Sequence, residues 1–263
     1  MKYLSVCIST YEMGGKGPEF LRWNFDRLTK QTFKDFEVVV SDQSKNDEIK
    51  KVCDEYRGKL DIVYLAETQH RGNASENINN AIRHASGKLI KILFLDDFLY
   101  SDDSLKQIVD AFDIDKDHWL VTASEHTKDG VTFYRPMYPR YDDETILFKN
   151  SISCPSVLTV KNESPLMFDP KLSWRMDLDY YKRCYEAFGA PKILNTINAV
   201  NRVGAHQLTY ADAVERKREA EFKHTLEKFN VPHKSRLLFE YRVDRYKRAL
   251  KSQIKKLLRI KTS

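Results

Sequence analysis

The sequence predicts an α/β protein built on a mostly parallel central sheet flanked by helices. Three observations carry that expectation. Apolar, strand-like runs alternate with segments of helical period at the spacing of βαβ units. The runs Phe36–Ser41 and Lys88–Leu95 are mostly apolar, as strands covered on both faces are. Polar clusters then follow the strands directly, at Thr10–Glu12, Asp42 and Asp96–Asp97. Ligands of such sheets bind outside the carboxyl ends of the strands, so three polar clusters fall on one edge.

In order, Tyr3–Ser9 alternates and is rich in β-formers, giving the first strand. Met13–Pro18 carries GGKG, whose spacing fits neither a P-loop nor a G-x-G-x-x-G turn, and reads as a flexible crossover loop. Pro18 suits the first turn of a helix to Gln31, with Phe20, Leu21, Phe25 and Leu28 inward. After the strand Phe36–Ser41 come a mixed-charge helix, Lys45–Arg57, and a strand, Leu60–Leu65. Asn73 followed by Glu76 begins a helix in capping-box fashion, and Ile78, Ala81, Ile82 and Ala85 give its inward face. Lys88–Leu95 is a strand and Asp103–Phe112 a helix.

Beyond the strand-like Trp119–Ala123 the alternation lapses. Val131–Tyr134 and Ser156–Val160 read as strands around a segment rich in Tyr and Pro. A helix opens near Asp177, packing through Leu178, Tyr181, Cys184 and Tyr185. Ile193–Val203 is a late strand, 211–229 a charged helix, and the last segment a helix with Phe239, Val243, Tyr246, Leu250, Ile254 and Leu257 on one stripe. The expected division is a domain over 1–210, with halves 1–115 and 116–210, and a helical extension over 211–263.

Composition narrows the function classes. The chain has 263 residues, enough for a full core. Its four cysteines are scattered without a C-x-x-C pair, as in a reducing compartment. No signal peptide is expected at the start, and no apolar run approaches the roughly 20 residues that span a bilayer. The formal net charge of +6 is misleading until located, because the tail from Arg236 to Lys261 alone carries +8, leaving the rest slightly acidic. A basic body of the kind that binds nucleic acid is absent, so no nucleic-acid partner is expected. The basic, one-sided helix over 236–261 has two readings: attachment to an anionic membrane surface, which we favour, or packing on protein with the charges solvated. The expected location is cytoplasmic, with peripheral attachment at the inner face of a membrane.

The stretch LIKILFLDDFLYSDDSL (Leu89–Leu105) is the centre of the chemistry. A buried strand ending in adjacent carboxylates is a common place to hold a divalent cation and a phosphorylated ligand. The plainer reading is an acidic turn with a helix cap.

Five ordered motifs tip the balance: SVCISTYE, the strand ending VVVSDQS, HRGNASENINNAI leading into ASGKLIKILFLDDF, FDPKLSWRMDLDYYKR, and VGAHQLT. In this order and spacing, from about Lys2 to about Thr209, the chain resembles the GT-A-fold, family-2 glycosyltransferases. The resemblance implies a Rossmann-like GT-A sheet and inverting transfer of a sugar from a nucleotide sugar, expected to be UDP-linked. The implied acceptor is a glycan or lipid-linked molecule in polysaccharide, lipopolysaccharide or capsule synthesis. It further implies that Thr10, Tyr11 and Glu12 line the nucleotide pocket, Asp42 bonds the base, Arg71 approaches base or diphosphate, and Asn77 shapes the pocket. By the same resemblance Asp96 faces the ribose, Asp97 ligates Mn²⁺ or Mg²⁺, Asp177 is the catalytic base, and His206 lies near the metal or diphosphate.

Two positions depart from the family pattern. Phe94 stands where the metal motif usually begins with Asp, and Met176 where a Glu usually precedes the base. Asp179 is therefore a rival base. Each residue also has a plainer role open to it: Asp177 as a helix N-terminal acid, Asp42 in an Asx turn, Arg71 as a loop charge, His206 as an ordinary histidine. The tyrosines over 134–141 and Trp174 are either a sugar platform or core. The alternatives in function are a sugar nucleotidyltransferase on a similar sheet and an inactive nucleotide-sugar-binding scaffold.

Overall fold

The computed structural model describes residues 2–143, 146–204 and 214–260, with the side chains of 214–216 and 248–260 excepted. It resolves into two compact units, Met1–Gln207 and Leu208–Ser263.

The first unit begins as the hydrophobic pattern dictates. Strands β1 (Leu4–Thr10), β2 (Phe36–Asp42), β3 (Ile62–Ala66) and β4 (Leu89–Phe94) alternate with helices α1 (Gly17–Lys30), α2 (Glu48–Tyr56) and α3 (Ala74–Arg83). The four strands lie in the order β3-β2-β1-β4 and pair in parallel. Val6, Ile8, Val38 and Val40 are buried together with Leu21, Phe25 and Leu28 of α1 and Ile49, Val52 and Cys53 of α2 in one core. At the start of α3 the Asn73 carboxamide accepts the Glu76 N–H at 3.1 Å, as the capping pattern predicts.

The second half of the sheet is mixed, in the region where the regular alternation of the sequence lapses. β5 (Phe98–Leu99), α4 (Ser104–Ala111), β6 (Trp119–Thr127), β7 (Phe133–Met137), β8 (Leu158–Lys161), α5 (Met176–Phe188) and β9 (Lys192–Arg202) follow β4. β8 inserts antiparallel between β4 and β6, β9 runs parallel to β6, and β5 and β7 pair antiparallel with β9 and β6. The physical reason is chain path. Among the described residues between β6 and β8 there is no crossover α-helix, so the two strands run in opposite directions. The two residues of β5 are too short to carry a periodic signal.

The second unit holds α6 (Val214–Lys228) and α7 (Lys234–Ile260). Within it, Glu219 accepts from Arg242 and Arg245 at 2.7 Å each, and the Phe222 and Tyr241 rings lie 4.9 Å apart. Phe239 and Tyr246 are exposed at 66% and 71%. No helix among the described residues is long and apolar enough to cross a membrane.

Candidate active site

Strand register brings the first polar clusters together. Thr10 pairs with Asp42 and Ser9 with Phe94, so the chain leaves β1, β2 and β4 side by side. Asp42 is buried and its carboxylate is heavily used. Oδ1 accepts from the Ser44 hydroxyl (2.6 Å), the Ser44 N–H (3.0 Å) and the Thr10 hydroxyl (3.1 Å), while Oδ2 accepts from the Tyr64 hydroxyl (2.9 Å). Burial, followed by the bond to Asp42, raises the Tyr64 pKa. Asn77, buried on α3, donates to the Thr10 carbonyl at 2.9 Å, and its Oδ1 has no hydrogen-bond partner among the described residues.

Tyr11 and Glu12 begin the loop after β1. Burial and the nearby Asp96 and Glu12 charges raise the Tyr11 pKa, although the ring is 37% exposed. The Glu12 carbonyl accepts the N–H groups of Gly15 and Gly17, so the segment expected to be a loose loop folds into a 3₁₀ turn at Met13–Gly15. At Gly17 a Cβ would lie 2.2 Å from the Tyr11 carbonyl oxygen, a contact only glycine avoids. Arg71 is exposed and donates to the Ser44 carbonyl at 3.3 Å. Gln43, which sequence reasoning did not single out, ties the two loops: it donates to the His70 carbonyl at 2.7 Å and accepts from Gly72 N–H at 3.0 Å.

The two acids after β4 occupy different environments. Asp96 is half-buried, whereas Asp97 is 4% exposed. Asp97 Oδ2 lies 2.6 Å from the Ser156 hydroxyl and 3.0 Å from the Cys154 thiol, and Oδ1 accepts from the Arg202 N–H at 3.2 Å. Burial first, then the charge of Asp96, pushes the Asp97 pKa up to about 7 against these hydrogen bonds. Burial also raises the Cys154 pKa, with the Asp97 charge adding to it, so this cysteine stays a thiol. The Arg202 guanidinium lies 4.8, 5.2 and 5.3 Å from the ring centroids of Phe20, Trp23 and Phe98.

Asp177 lies in the first turn of α5, half-buried. Its Oδ2 accepts from the Asn150 carboxamide at 2.6 Å and its Oδ1 from the Leu178 N–H at 2.8 Å. Burial pushes its pKa up to about 6. Asp179 is fully buried instead and holds Arg183 through Oδ2 at 2.8 and 2.7 Å. Met176 is buried, with its sulfur 3.9 Å from the Ser75 hydroxyl.

One strap joins the two acids. The Asn150 carboxamide that bonds Asp177 also donates to the Ser153 carbonyl at 3.0 Å, and its Oδ1 accepts from Ile152 and Ser153 N–H. The next residue is Cys154, against Asp97. Ser153 has φ +136°, a strained value for a residue with a side chain, and Asn201 and Tyr181 both bond it. Asp97 and Asp177 are thus fixed by residues 150–156 of one segment. His206 lies outside the described residues.

Residues 5–165, more than half of the chain, match Glycosyl transferase family 2. The chain belongs to that family. A curated relative, the GalNAc(5)-diNAcBac-PP-undecaprenol beta-1,3-glucosyltransferase of Campylobacter jejuni, is 30% identical over 102 residues, covering 38% of this chain and 32% of that protein. Two solved glycosyltransferases share the fold. S. aureus TarS, as residues 1–349 in complex with UDP-GlcNAc, superposes with a TM-score of 0.58 at 18% identity, over 78% of this chain and 60% of that one. The mannosyltransferase PcManGT of Pyrobaculum calidifontis, in complex with GDP-Man and Mn²⁺, gives 0.60 at 17% identity, over 86% and 64%. The chain therefore spans about a third of the curated relative it matches and less than two thirds of these solved chains. At these identities the structural likeness establishes the GT-A fold of this family-2 member and nothing about its ligands.

Family-2 enzymes of this fold generally use a divalent cation, and the donor set suits one. Among the described residues no three His, Cys, Asp or Glu side chains converge as a closed metal cage. Two adjacent carboxylates stand at the strand end, the pKa of Asp97 raised by burial first and then by the charge of Asp96. A hard cation that takes most of its ligands from water and phosphate needs only one or two such oxygens.

Proposed function

We propose that this family-2 member is a glycosyltransferase that moves a sugar from a nucleoside-diphosphate donor, a UDP-sugar in our reading, to a hydroxyl of a glycan or lipid-linked acceptor. The observation that carries the proposal is the strap over 150–156, which bonds Asp97 at the donor edge and Asp177 at the opening of α5. One acid serves the leaving side and the other the attacking side.

On the donor side, Thr10, Tyr11, Glu12, Arg71 and Asn77 line the nucleotide. Asn77 Oδ1, without a partner among the described residues, can accept an N–H or O–H of the nucleotide donor or a water O–H. Asp42 acts by fixing Thr10, Ser44 and Tyr64, since those groups already occupy its carboxylate. The burial of the two neighbouring acids supports a division of labour opposite to the family expectation: half-buried Asp96 meets the cation, and Asp97 anchors the turn beneath it. A bound Mn²⁺ or Mg²⁺ would neutralise the charge that develops on the departing diphosphate.

On the acceptor side, Asp177 takes the proton of the attacking hydroxyl. Its pKa near 6 leaves it mostly ionised at neutral pH yet more basic than an ordinary carboxylate. Asn150 holds Oδ2 in place. Displacement by that hydroxyl from the face opposite the leaving group inverts the anomeric centre in one step. Asp179 is a structural partner of Arg183 in this reading. The likeness to a transferase named for an undecaprenol-linked substrate supports a lipid-linked acceptor. A cytoplasmic protein resting on an anionic membrane through 236–261 would meet such an acceptor, with 1–210 as catalytic domain and 211–263 as extension.

The test is nucleoside-diphosphate release from a panel of UDP- and GDP-sugars with Mn²⁺ or EDTA, with and without a lipid-linked glycan. Metal-dependent release suppressed in Asp96→Asn and transfer suppressed in Asp177→Asn support the reading. Tight donor binding without turnover would leave a binding scaffold.

A further inference from the structure

Lys91 lies in the middle of β4, fully buried among residues that are otherwise apolar along that strand. Placing an ammonium in a sheet interior costs several kcal/mol unless it is compensated. Its Nζ donates to the Ser156 carbonyl. The hydroxyl of the same Ser156 donates to Asp97 Oδ2 at 2.6 Å and accepts from the Phe94 N–H at 2.9 Å. Ser156 is itself fully buried. It opens no strand pairing of its own but belongs to the 3₁₀ turn Pro155–Val157 just before β8. Lys91 therefore grips the backbone of a residue whose side chain joins the end of β4 to the buried acid beyond it. Burial lowers the Lys91 pKa, and the neighbouring Cys154 and Asp97 oppose that shift.

We propose that Lys91 is a positioning residue for sugar transfer: it pins Ser156, and through Ser156 it fixes Asp97 and the turn that presents Asp96 to the donor diphosphate. This rests on the reading of Asp96 and Asp97 as the donor edge. A buried lysine kept only for stability is an unattractive alternative, because a single carbonyl bond returns only part of the cost of taking an ammonium out of water. Removing a group that orients a ligand from one layer further out characteristically costs roughly 10–100-fold in affinity or activity.

The experiment compares wild type with Lys91→Met, Ser156→Ala and the double variant in the full chain. It reads melting temperature, calorimetric binding of UDP and GDP with Mn²⁺, and steady-state kcat and KM for the donor that wild type uses. Lys91→Met leaves the Ser156 carbonyl without its donor and is expected to fold with a somewhat lower melting temperature, while well below that temperature nucleotide–Mn²⁺ affinity and kcat/KM fall roughly 10–100-fold. Because both residues act through one path, the double variant should be no worse than the poorer single variant, whereas independent effects would multiply. Lys91→Met with wild-type affinity and turnover overturns the inference, as does a double variant whose losses multiply. Should Lys91→Met not fold, Ser156→Ala, which leaves the lysine in place, decides: wild-type binding and turnover in that variant overturn it as well. A wild type that binds neither nucleotide and turns over no donor overturns the donor-edge reading and this inference with it; a competent wild type with indifferent variants overturns this inference alone.

Discussion

The Asn150 carboxamide lies 2.6 Å from Asp177 Oδ2 and, through the same nitrogen, 3.0 Å from the Ser153 carbonyl. Asp177 is thereby oriented by the segment that also touches Asp97. Asn150→Ala should leave the fold intact and lower kcat by up to about 10²-fold, the scale of loss from a small misplacement of a reacting group. Donor affinity, which the proposed function assigns to the other end of the strap, should change little. Equal losses in donor binding and kcat would mean that the whole segment has moved.

The pH dependence of transfer should report Asp177. Its folded-state pKa of about 6 means the carboxylate is protonated as pH falls through that value, so kcat should drop about tenfold per unit below pH 6. Stability runs the other way. A carboxyl raised from about 4 in the unfolded chain to 6 in the fold loses stability as pH rises between those values. Asp177→Asn should lack that loss, be at least as stable at pH 7, and be slower by roughly 10²–10⁴-fold. A flat pH–rate profile from 5 to 8 would remove Asp177 from the base role.

Most of the first half of this fold was legible in the sequence because each element carries its own periodic signal. β1, β2 and β4 are buried on both faces and read as apolar runs, and Asn73 marks the start of α3. The polar edge proposed for the donor was legible for the same reason, since Asp42 ends β2 and Asp96–Asp97 follow β4. The support of that edge was not. Cys154, Ser156 and Asn150 reach the acids from 27 to 59 positions away along irregular backbone, and no local pattern encodes such a contact. Lys91 was visible as the one break in an apolar run, but only the fold gives it a partner.

The rival acid on α5 makes a stability prediction. Asp179 is fully buried and paired with Arg183 one turn on. Asp179→Ala removes one partner and leaves the guanidinium uncompensated, a loss of about 3–5 kcal/mol for a buried pair. Below its lowered melting temperature the variant should keep kcat within a few-fold of wild type. A normal melting temperature with abolished transfer would reverse the roles of the two acids.

Gly17 tests the donor loop. A methyl group there would meet the Tyr11 carbonyl at 2.2 Å, so the Tyr11–Glu12 backbone must shift. Overpacking of this kind costs about 1–3 kcal/mol, and Gly17→Ala should combine that loss with weaker donor binding. Gly14→Ala is the control: nothing lies within 4 Å of its Cβ position, although its φ of +62° adds a small backbone strain. If the two variants bind donor equally well, the Tyr11 loop does not touch the nucleotide.

Helix α7 carries the features of a membrane-surface attachment. Phe239 and Tyr246 are exposed on a helix whose segment carries +8 between Arg236 and Lys261, while the rest of the chain is slightly acidic. Apolar side chains and basic ones on one helix add their attractions at an anionic bilayer, with about 1 kcal/mol for each Lys or Arg near the surface. The protein should co-sediment with phosphatidylglycerol vesicles, release as salt shortens the screening length, and ignore phosphatidylcholine. The variant Phe239→Ser with Tyr246→Ser removes the two exposed rings without touching Glu219, Arg242 or Arg245. It should lose vesicle binding at least tenfold and keep donor hydrolysis. Undiminished sedimentation of that variant would leave charge alone as the attachment, and sedimentation that is absent in wild type would rule out a membrane-facing extension.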